Sequence, residues 1–247
     1  MKTTLITGAT SGIGMATAKL FAAKGHRLIL CGRRTERLAE LKKELNTEVH
    51  TLTFDVRNRE DVFKAIDSIP SEFKNIDVLL NNAGNAHGLS TIQDGNMDDW
   101  DAMMDGNVKG LLYVTKAILP GMIERNSGFI VNIGSVAAKE VYPNGNVYCA
   151  SKHAVDALSK SMRIDLAGFN IRVSAIHPGA VETEFSEVRF KGDKEKAAGV
   201  YQGFDALQAQ DIAETIDFIT SRPSHVNIED VVIYPTAQAN TTTLTRN

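Results

Sequence analysis

The sequence predicts an α/β protein: one doubly wound parallel sheet of about seven strands with helices on both faces. Three observations predict it. Short runs that are apolar on both strand faces alternate with longer segments of helical periodicity from one end to the other. A glycine-rich turn joins the first run to the first helical segment. The 247 residues, 43% hydrophobic and 23% charged, are enough for one large core, and no internal repeat or interdomain linker interrupts them.

The elements follow in order. The first strand is TTLIT, with a helix over 12–24; RLILC precedes a helix over 35–45, and VHTLTF one over 58–68. DVLLN leads into a long helical stretch over 97–125, and GFIVNIGS into a helix over 147–167. IRVSAIHPG is the sixth strand; after an irregular region come a helix over 209–221 and the last strand, DVVIYP. Residues 182–205 are charged, lack an apolar stripe and read as a mobile lid on a single domain spanning 1–247. The polar, Thr-rich tail 236–247 reads as a frayed terminus, with docking on a neighbouring subunit as the alternative.

Charge and cysteine usage exclude several classes. A formal net charge of -3, with Lys and Arg scattered among acids, offers no basic surplus to a nucleic-acid backbone. Cys31 and Cys149 stand far apart outside any CxxC or Cys/His cluster, so neither a disulfide framework nor a metal site is expected. The N-terminus lacks the long apolar region of a signal peptide, and no apolar run reaches membrane-spanning length. A cytoplasmic protein without a membrane partner is the expectation.

The turn TGATSGIG places Gly8, Gly12 and Gly14 between strand and helix, where glycine allows a diphosphate to approach and the helix N-terminus offers unpaired N–H groups. The spacing is GxxxGxG and not the GxGxxG of the commonest dinucleotide fingerprint. At the end of the second strand an acid would bind an adenosine ribose 2'-hydroxyl, but the residues there are Gly32, Arg33 and Arg34. Arginine without a competing carboxylate suits a 2'-phosphate, which favours NADP over NAD. Asp55 can bond an adenine amino group, cap the next helix or pair with Arg57, and NNAG (81–84) closes the fourth strand at the edge where ligands sit in such sheets.

TGATSGIG, NNAG, Asn107 in GNVKG, Ser135 in VNIGSVA, Tyr148 and Lys152 in YCASK, and HPGAVET stand in an order that resembles the short-chain dehydrogenase/reductase family over essentially the whole chain. The resemblance implies a Rossmann-type fold, a catalytic tetrad of Asn107, Ser135, Tyr148 and Lys152, and a homo-oligomer, in this family a homotetramer. It further implies that the cofactor is held by Gly8, Thr10, Ser11, Gly12, Ile13 and Gly14 in the first turn, and by Arg33, Arg34, Asp55 and Val56 at the next two strand ends. Asn82, Ala83, Gly84, Tyr148, Lys152, Pro178, Gly179, Val181 and Thr183 complete that set.

Each tetrad member has a chemical reason. Oxidising an alcohol by hydride loss needs a base for its hydroxyl proton, and in reduction the same group is the acid. Free tyrosine titrates near 10, so Lys152 one helical turn on is expected to favour the phenolate and lower the Tyr148 pKa. Ser135 can orient the substrate oxygen and stabilise charge developing on it. Asn is a poor interior helix residue, so Asn107 inside a helix has a functional reading, in the family the holding of a proton-relaying water near the lysine.

Within the family the chain resembles NADP-dependent 3-hydroxy acid dehydrogenases, including serine 3-dehydrogenases and malonic semialdehyde reductases. A carboxylate substrate needs a cationic partner, and the lid offers Arg189 and Lys191; the planar fork of Arg189 is the better match. The alternatives weighed are a 3-oxoacyl-thioester reductase or other carbonyl reductase, and a catalytically idle NADP-sensing regulator, against which the complete tetrad argues. His177, Cys149 and Trp100 are read as structural.

Overall fold

The computed structural model describes residues 1–247. β1 (Thr3–Thr7) is buried on both faces, and its alternate side chains feed two different cores: Ile6 one, Leu5 the other. After β1 the chain runs through α1 (Gly12–Ala23), β2 (Arg27–Gly32), α2 (Thr35–Glu44), β3 (Val49–Thr53), α3 (Arg59–Asp67) and β4 (Val78–Asn81). α4 (Met97–Met104), α5 (Gly110–Glu124), β5 (Gly128–Ile133), α6 (Asn146–Leu166) and β6 (Ile171–Pro178) follow. The last third holds β7 (Val181–Glu182), α7 (Phe185–Arg189), α8 (Lys194–Gly199), β8 (Leu207–Gln208), α9 (Ala209–Thr220) and β9 (Asp230–Ile233).

The main sheet has seven parallel strands in the order β3-β2-β1-β4-β5-β6-β9, as expected from the alternation of strands and helices. On one face Phe21 and Ala18 of α1, Leu38 of α2 and Ile212, Ile216 and Ile219 of α9 pack on Ile6, Leu28 and Leu80. On the other, Val62 and Ile66 of α3 and Val114, Ile118 and Met122 of α5 pack on Leu5, Ile29, Leu79 and Ile130. Burying both faces fixes the sheet rigidly. The order reverses between β1 and β4, which opens a crevice at the C-terminal strand ends, where ligands bind in open α/β sheets.

Three expectations need correction. The helical stretch 97–125 is not one α-helix: residues Asp105–Lys109 form a π-turn between α4 and α5, with Asn107 at its middle. The lid 182–205 is not an unstructured loop. It carries α7 and α8, and its edge strand β7 pairs with β8. The tail is not frayed, because Asn247 N–H donates to Gly203 O at 2.8 Å, Arg246 Nη2 to Val200 O at 3.1 Å, and the Thr241 hydroxyl to Glu140 at 3.0 Å. The tail therefore clasps the lid of its own chain.

Candidate active site

The crevice at the strand ends has a volume of about 770 Å³. Gly8 (φ +65°) shapes its floor: a Cβ there would lie 2.9 Å from Asn82 Nδ2 and 3.0 Å from Ala83 Cα, so only glycine lets the first turn lie against the NNAG turn. Thr10, Ser11, Gly12 and Ile13 line the opening, and Ser11 puts no side-chain cap on α1, leaving the amides of its first turn without one. This uncapped turn beside a glycine cradle is chemically suited to a diphosphate. Gly14 does not line the crevice; it faces inward, where its Cα hydrogens pack on the Gly8 backbone and Asn82.

Farther along, Arg33, Arg34, Asp55 and Val56 form the wall at the ends of β2 and β3. The two arginines differ. Arg34 is held by Thr10, to whose hydroxyl its Nε and Nη2 donate at 3.1 and 2.9 Å, whereas the Arg33 side chain is 61% exposed with only a 3.8 Å approach to Asp55. Asp55 accepts from Arg57 Nη2 at 2.6 Å and from the Arg57 amide at 3.0 Å; burial raises its pKa, but these bonds outweigh burial and hold the carboxyl below its ordinary value. Of the three sequence readings of Asp55, pairing with Arg57 is the one formed here, while Asn58 caps α3. Asn82, Ala83, Gly84, Pro178, Gly179, Val181 and Thr183 line the middle of the same crevice.

At the deep end Ser135, Tyr148 and Lys152 meet. Ser135 follows β5 in extended backbone; its Oγ accepts from the Ala137 amide at 3.1 Å and lies beside the Tyr148 phenol. The Ser135 carbonyl accepts a bond from His177 Nδ1 at 3.1 Å, which fixes the ring's tautomer because a carbonyl cannot donate. His177 is fully buried, and its Nε2 faces Asp230 and Asp156 at 3.3 and 3.5 Å, two carboxylates that the Lys139 ammonium bridges. It supports the Ser135 turn from behind the crevice, in keeping with a structural role.

The relation of Lys152 to Tyr148 differs from expectation. Lys152 Nζ donates to Ile133 O at 2.9 Å and lies 5.9 Å from the Tyr148 ring centre, and burial lowers its pKa to about 8. Burial also pushes the Tyr148 phenol up, more than the neighbouring Ser135 hydroxyl and Arg189 pull it down. Desolvation disfavours the charged form of both groups and outweighs their attraction across the gap. Without ligand the phenol is thus held as an acid.

Asn107 is buried and stands one layer behind the crevice wall. Its Oδ1 accepts from Asn85 N–H at 2.8 Å, and its Nδ2 donates to Asn85 O at 2.8 Å and Ser151 Oγ at 3.0 Å. A side chain so engaged clamps the loop after NNAG. A Cβ added at Gly84 would fall 2.9 Å from Asn107 Oδ1 and 3.7 Å from Lys152 Nζ, so these residues are stacked around one small space.

Arg189, on α7, reaches back over this end. Its Nη2 donates to the Tyr142 hydroxyl at 2.6 Å, its Nε to Gly88 O at 3.3 Å, and its guanidinium carbon lies 5.4 Å from the Tyr148 ring centre. Lys191 turns away and pairs with Asp99 at 3.0 Å. Tyr142, Phe185 and the tail residues Gln238, Thr241 and Thr242 also line the crevice and were not foreseen. For Tyr142 a signal existed, a tyrosine six residues before Tyr148. For the tail none did, because polar threonines carry no periodicity.

A family description, short chain dehydrogenase, matches residues 2–194. NADP-dependent 3-hydroxy acid dehydrogenase YdfG of Salmonella typhi is 48% identical over 236 residues, covering 95% of each chain. Sulfoacetaldehyde reductase 2 of Chromohalobacter salexigens is 46% identical over 238 residues, covering 95% of this chain and 94% of its own. Among solved structures, the closed form of serine dehydrogenase complexed with NADP+ superposes with a TM-score of 0.95 at 44% identity, covering 99% of both chains. No helix is long and apolar enough to cross a membrane. Sheet order, glycine turn and the Ser135–Tyr148–Lys152 cluster agree with these likenesses, and the chain belongs to the short-chain dehydrogenase/reductase family, as an oxidoreductase.

Proposed function

We propose that the protein is an NADP-dependent oxidoreductase that interconverts the hydroxyl of a small 3-hydroxy acid, of the serine, allo-threonine or 3-hydroxypropionate type, and the corresponding 3-oxo acid. The observation that carries this reading is Arg189, a cation 5.4 Å from the Tyr148 ring at the deep end of the crevice. That separation is on the scale of a three-carbon acid whose carboxylate rests on the guanidinium and whose hydroxyl meets the phenol.

When bound, the dinucleotide would supply the hydride acceptor for oxidation and the hydride donor for reduction. The first turn and NNAG residues would hold its diphosphate and ribose, and Arg34 with Thr10 would read the 2'-phosphate. Tyr148 Oη takes the hydroxyl proton in oxidation and gives it in reduction. Ser135 Oγ bonds both the phenol and the substrate oxygen and stabilises charge developing there. Lys152, whose pKa burial lowers to about 8, takes the proton on from the phenol in oxidation and returns it in reduction, and Asn107 keeps the neighbouring loop in place.

A second reading has one observation in its favour, the 46% identity to a sulfoacetaldehyde reductase. The Arg189–Tyr142 pair can receive a sulfonate as well as a carboxylate, since both are anions with several acceptor oxygens. Initial rates of NADP+ reduction with serine, allo-threonine, threonine, 3-hydroxyisobutyrate and 3-hydroxypropionate, and of NADPH oxidation with sulfoacetaldehyde and a 3-oxoacyl thioester, test these readings together. Turnover of the hydroxy acids above all others supports the first. Preference for the thioester or the sulfonate overturns it, and no turnover with any substrate favours a nucleotide-sensing regulator.

A further inference from the structure

Glu184 stands at the start of the lid, immediately before α7, and lines the crevice. Its carboxylate accepts from Arg34 Nη1 at 3.0 Å and from Arg37 Nη1 at 2.7 and 3.0 Å. Arg34 and Arg37 lie three residues apart at the start of α2 and so point the same way. The other edge of Arg34 is taken by Thr10, with Nε and Nη2 on its hydroxyl, so every nitrogen of that guanidinium is engaged. Burial raises the Glu184 pKa, but the bonds from Arg34 and Arg37 outweigh it and keep the carboxyl below its ordinary value, an anion at neutral pH. Arg33 points into solvent and takes no part.

We propose that Glu184 is a built-in competitor for the 2'-phosphate of the cofactor: its carboxylate occupies the arginine edge that the phosphate needs. The inference rests on the NADP reading above. A phosphate dianion and a carboxylate on one guanidinium edge repel each other, so one must leave. A dinucleotide without the 2'-phosphate leaves Glu184 seated. Selectivity for the phosphate is then lower than the bare arginines would give.

Calorimetric titration of wild type and Glu184→Gln with ADP and with adenosine 2',5'-bisphosphate tests this without turnover. Because the pairs are partly exposed, the substitution is expected to tighten the bisphosphate roughly three- to tenfold and to leave ADP unchanged. Equal bisphosphate affinity in the two proteins, weaker binding in the variant, or an equal gain for ADP overturns the proposal. If neither protein prefers the bisphosphate to ADP, the NADP reading itself falls and this inference with it.

Discussion

Arg189 and Tyr148, forty-one residues apart, face each other across the deep end of the crevice with 5.4 Å between guanidinium carbon and ring centre. Neither side chain could be placed there by its own element alone. α6 presents Tyr148 from the sheet side, and α7 brings Arg189 from the lid, where Gly88 N–H donates to Arg189 O at 2.9 Å and holds the turn down. The lid segment therefore holds the cation beside the phenol.

Arg189→Ala removes the guanidinium but keeps the backbone bond to Gly88. A charge-assisted bidentate bond contributes about 1.5–3 kcal/mol, so kcat/KM for a hydroxy acid should fall roughly ten- to a hundredfold, mostly through KM. Its uncharged methyl ester should lose much less, and cofactor affinity should hardly move. Steady-state kinetics with acid and ester decide it: equal losses mean that Arg189 only braces the lid.

Tyr148→Phe should keep the fold and cofactor binding and lose nearly all turnover, because only the phenolic oxygen is removed. Burial holds this phenol above its ordinary pKa of 10.0 in the free protein, with Ser135 and Arg189 offsetting only part of the effect. Ultraviolet titration of wild type minus Tyr148→Phe should therefore show the Tyr148 phenolate forming only above pH 10. Ionisation below that would mean that Lys152 governs the phenol even without cofactor.

The sheet was legible because strands buried on both faces and helices with one apolar stripe leave different periodicities, and each of the seven strands carried its own run. The crevice residues were legible for a related reason: Gly8, Ser135 and Tyr148 sit at strand ends or on a helix facing them, and the topology alone brings such positions together. What was not legible depended on side-chain competition or long-range docking. The Tyr148–Lys152 spacing predicts attraction, but only burial of both, seen in the folded chain, shows desolvation prevailing. The π-turn at Asn107 leaves no periodic mark, and the grip of Arg246 on residues 199–202 joins two polar segments that carry no pattern of their own.

Arg34 and Arg33 should contribute unequally to NADP selectivity. Arg34 is oriented by Thr10 and Arg33 is solvated, so Arg34 forms a phosphate bond with less ordering cost. Arg34→Ala should reduce kcat/KM for NADP+ by tenfold or more, on the order expected of a charge-assisted bond, and Arg33→Ala several times less. Neither should alter kcat/KM for NAD+ to that degree. The reverse ranking in the NADP+ to NAD+ ratio would contradict the geometry.

Asn107→Ala should destabilise the protein and disturb the site only secondarily. The substitution leaves the half-buried N–H and C=O of Asn85 without these partners, at up to about 1 kcal/mol each. A fall of up to roughly 2 kcal/mol in unfolding free energy by urea denaturation is expected, with KM for substrate rising as the loop loosens. An unchanged urea midpoint with lost kcat would instead give Asn107 a direct part in proton transfer.

Lys152 supplies a pH test with a definite sign. Burial lowers its pKa from the ordinary 10.5 to about 8, so between those values the unfolded chain keeps a proton that the folded chain has released. Stability rises with pH wherever the unfolded state binds more protons, so the cost of burying this ammonium is fully present below pH 8 and is relieved as pH climbs toward 10.5. The full cost is on the order of 3 kcal/mol, taking about 1.4 kcal/mol per pH unit. Lys152→Met fills a similar volume and cannot titrate, so its stability relative to wild type should be greatest below pH 8 and should decline above it. Cys31 and Cys149 around pH 9 and Tyr148 above pH 10 act in the opposite direction, because burial makes their folded forms retain the proton longer, but they are common to both proteins and cancel in the difference. Urea unfolding of both proteins from pH 7 to 10 measures the difference directly. A difference that stays flat from pH 7 to 10 would mean that Lys152 is hydrated in solution and not desolvated against Ile133, and its part in the proton path would have to be assigned to a fully charged ammonium.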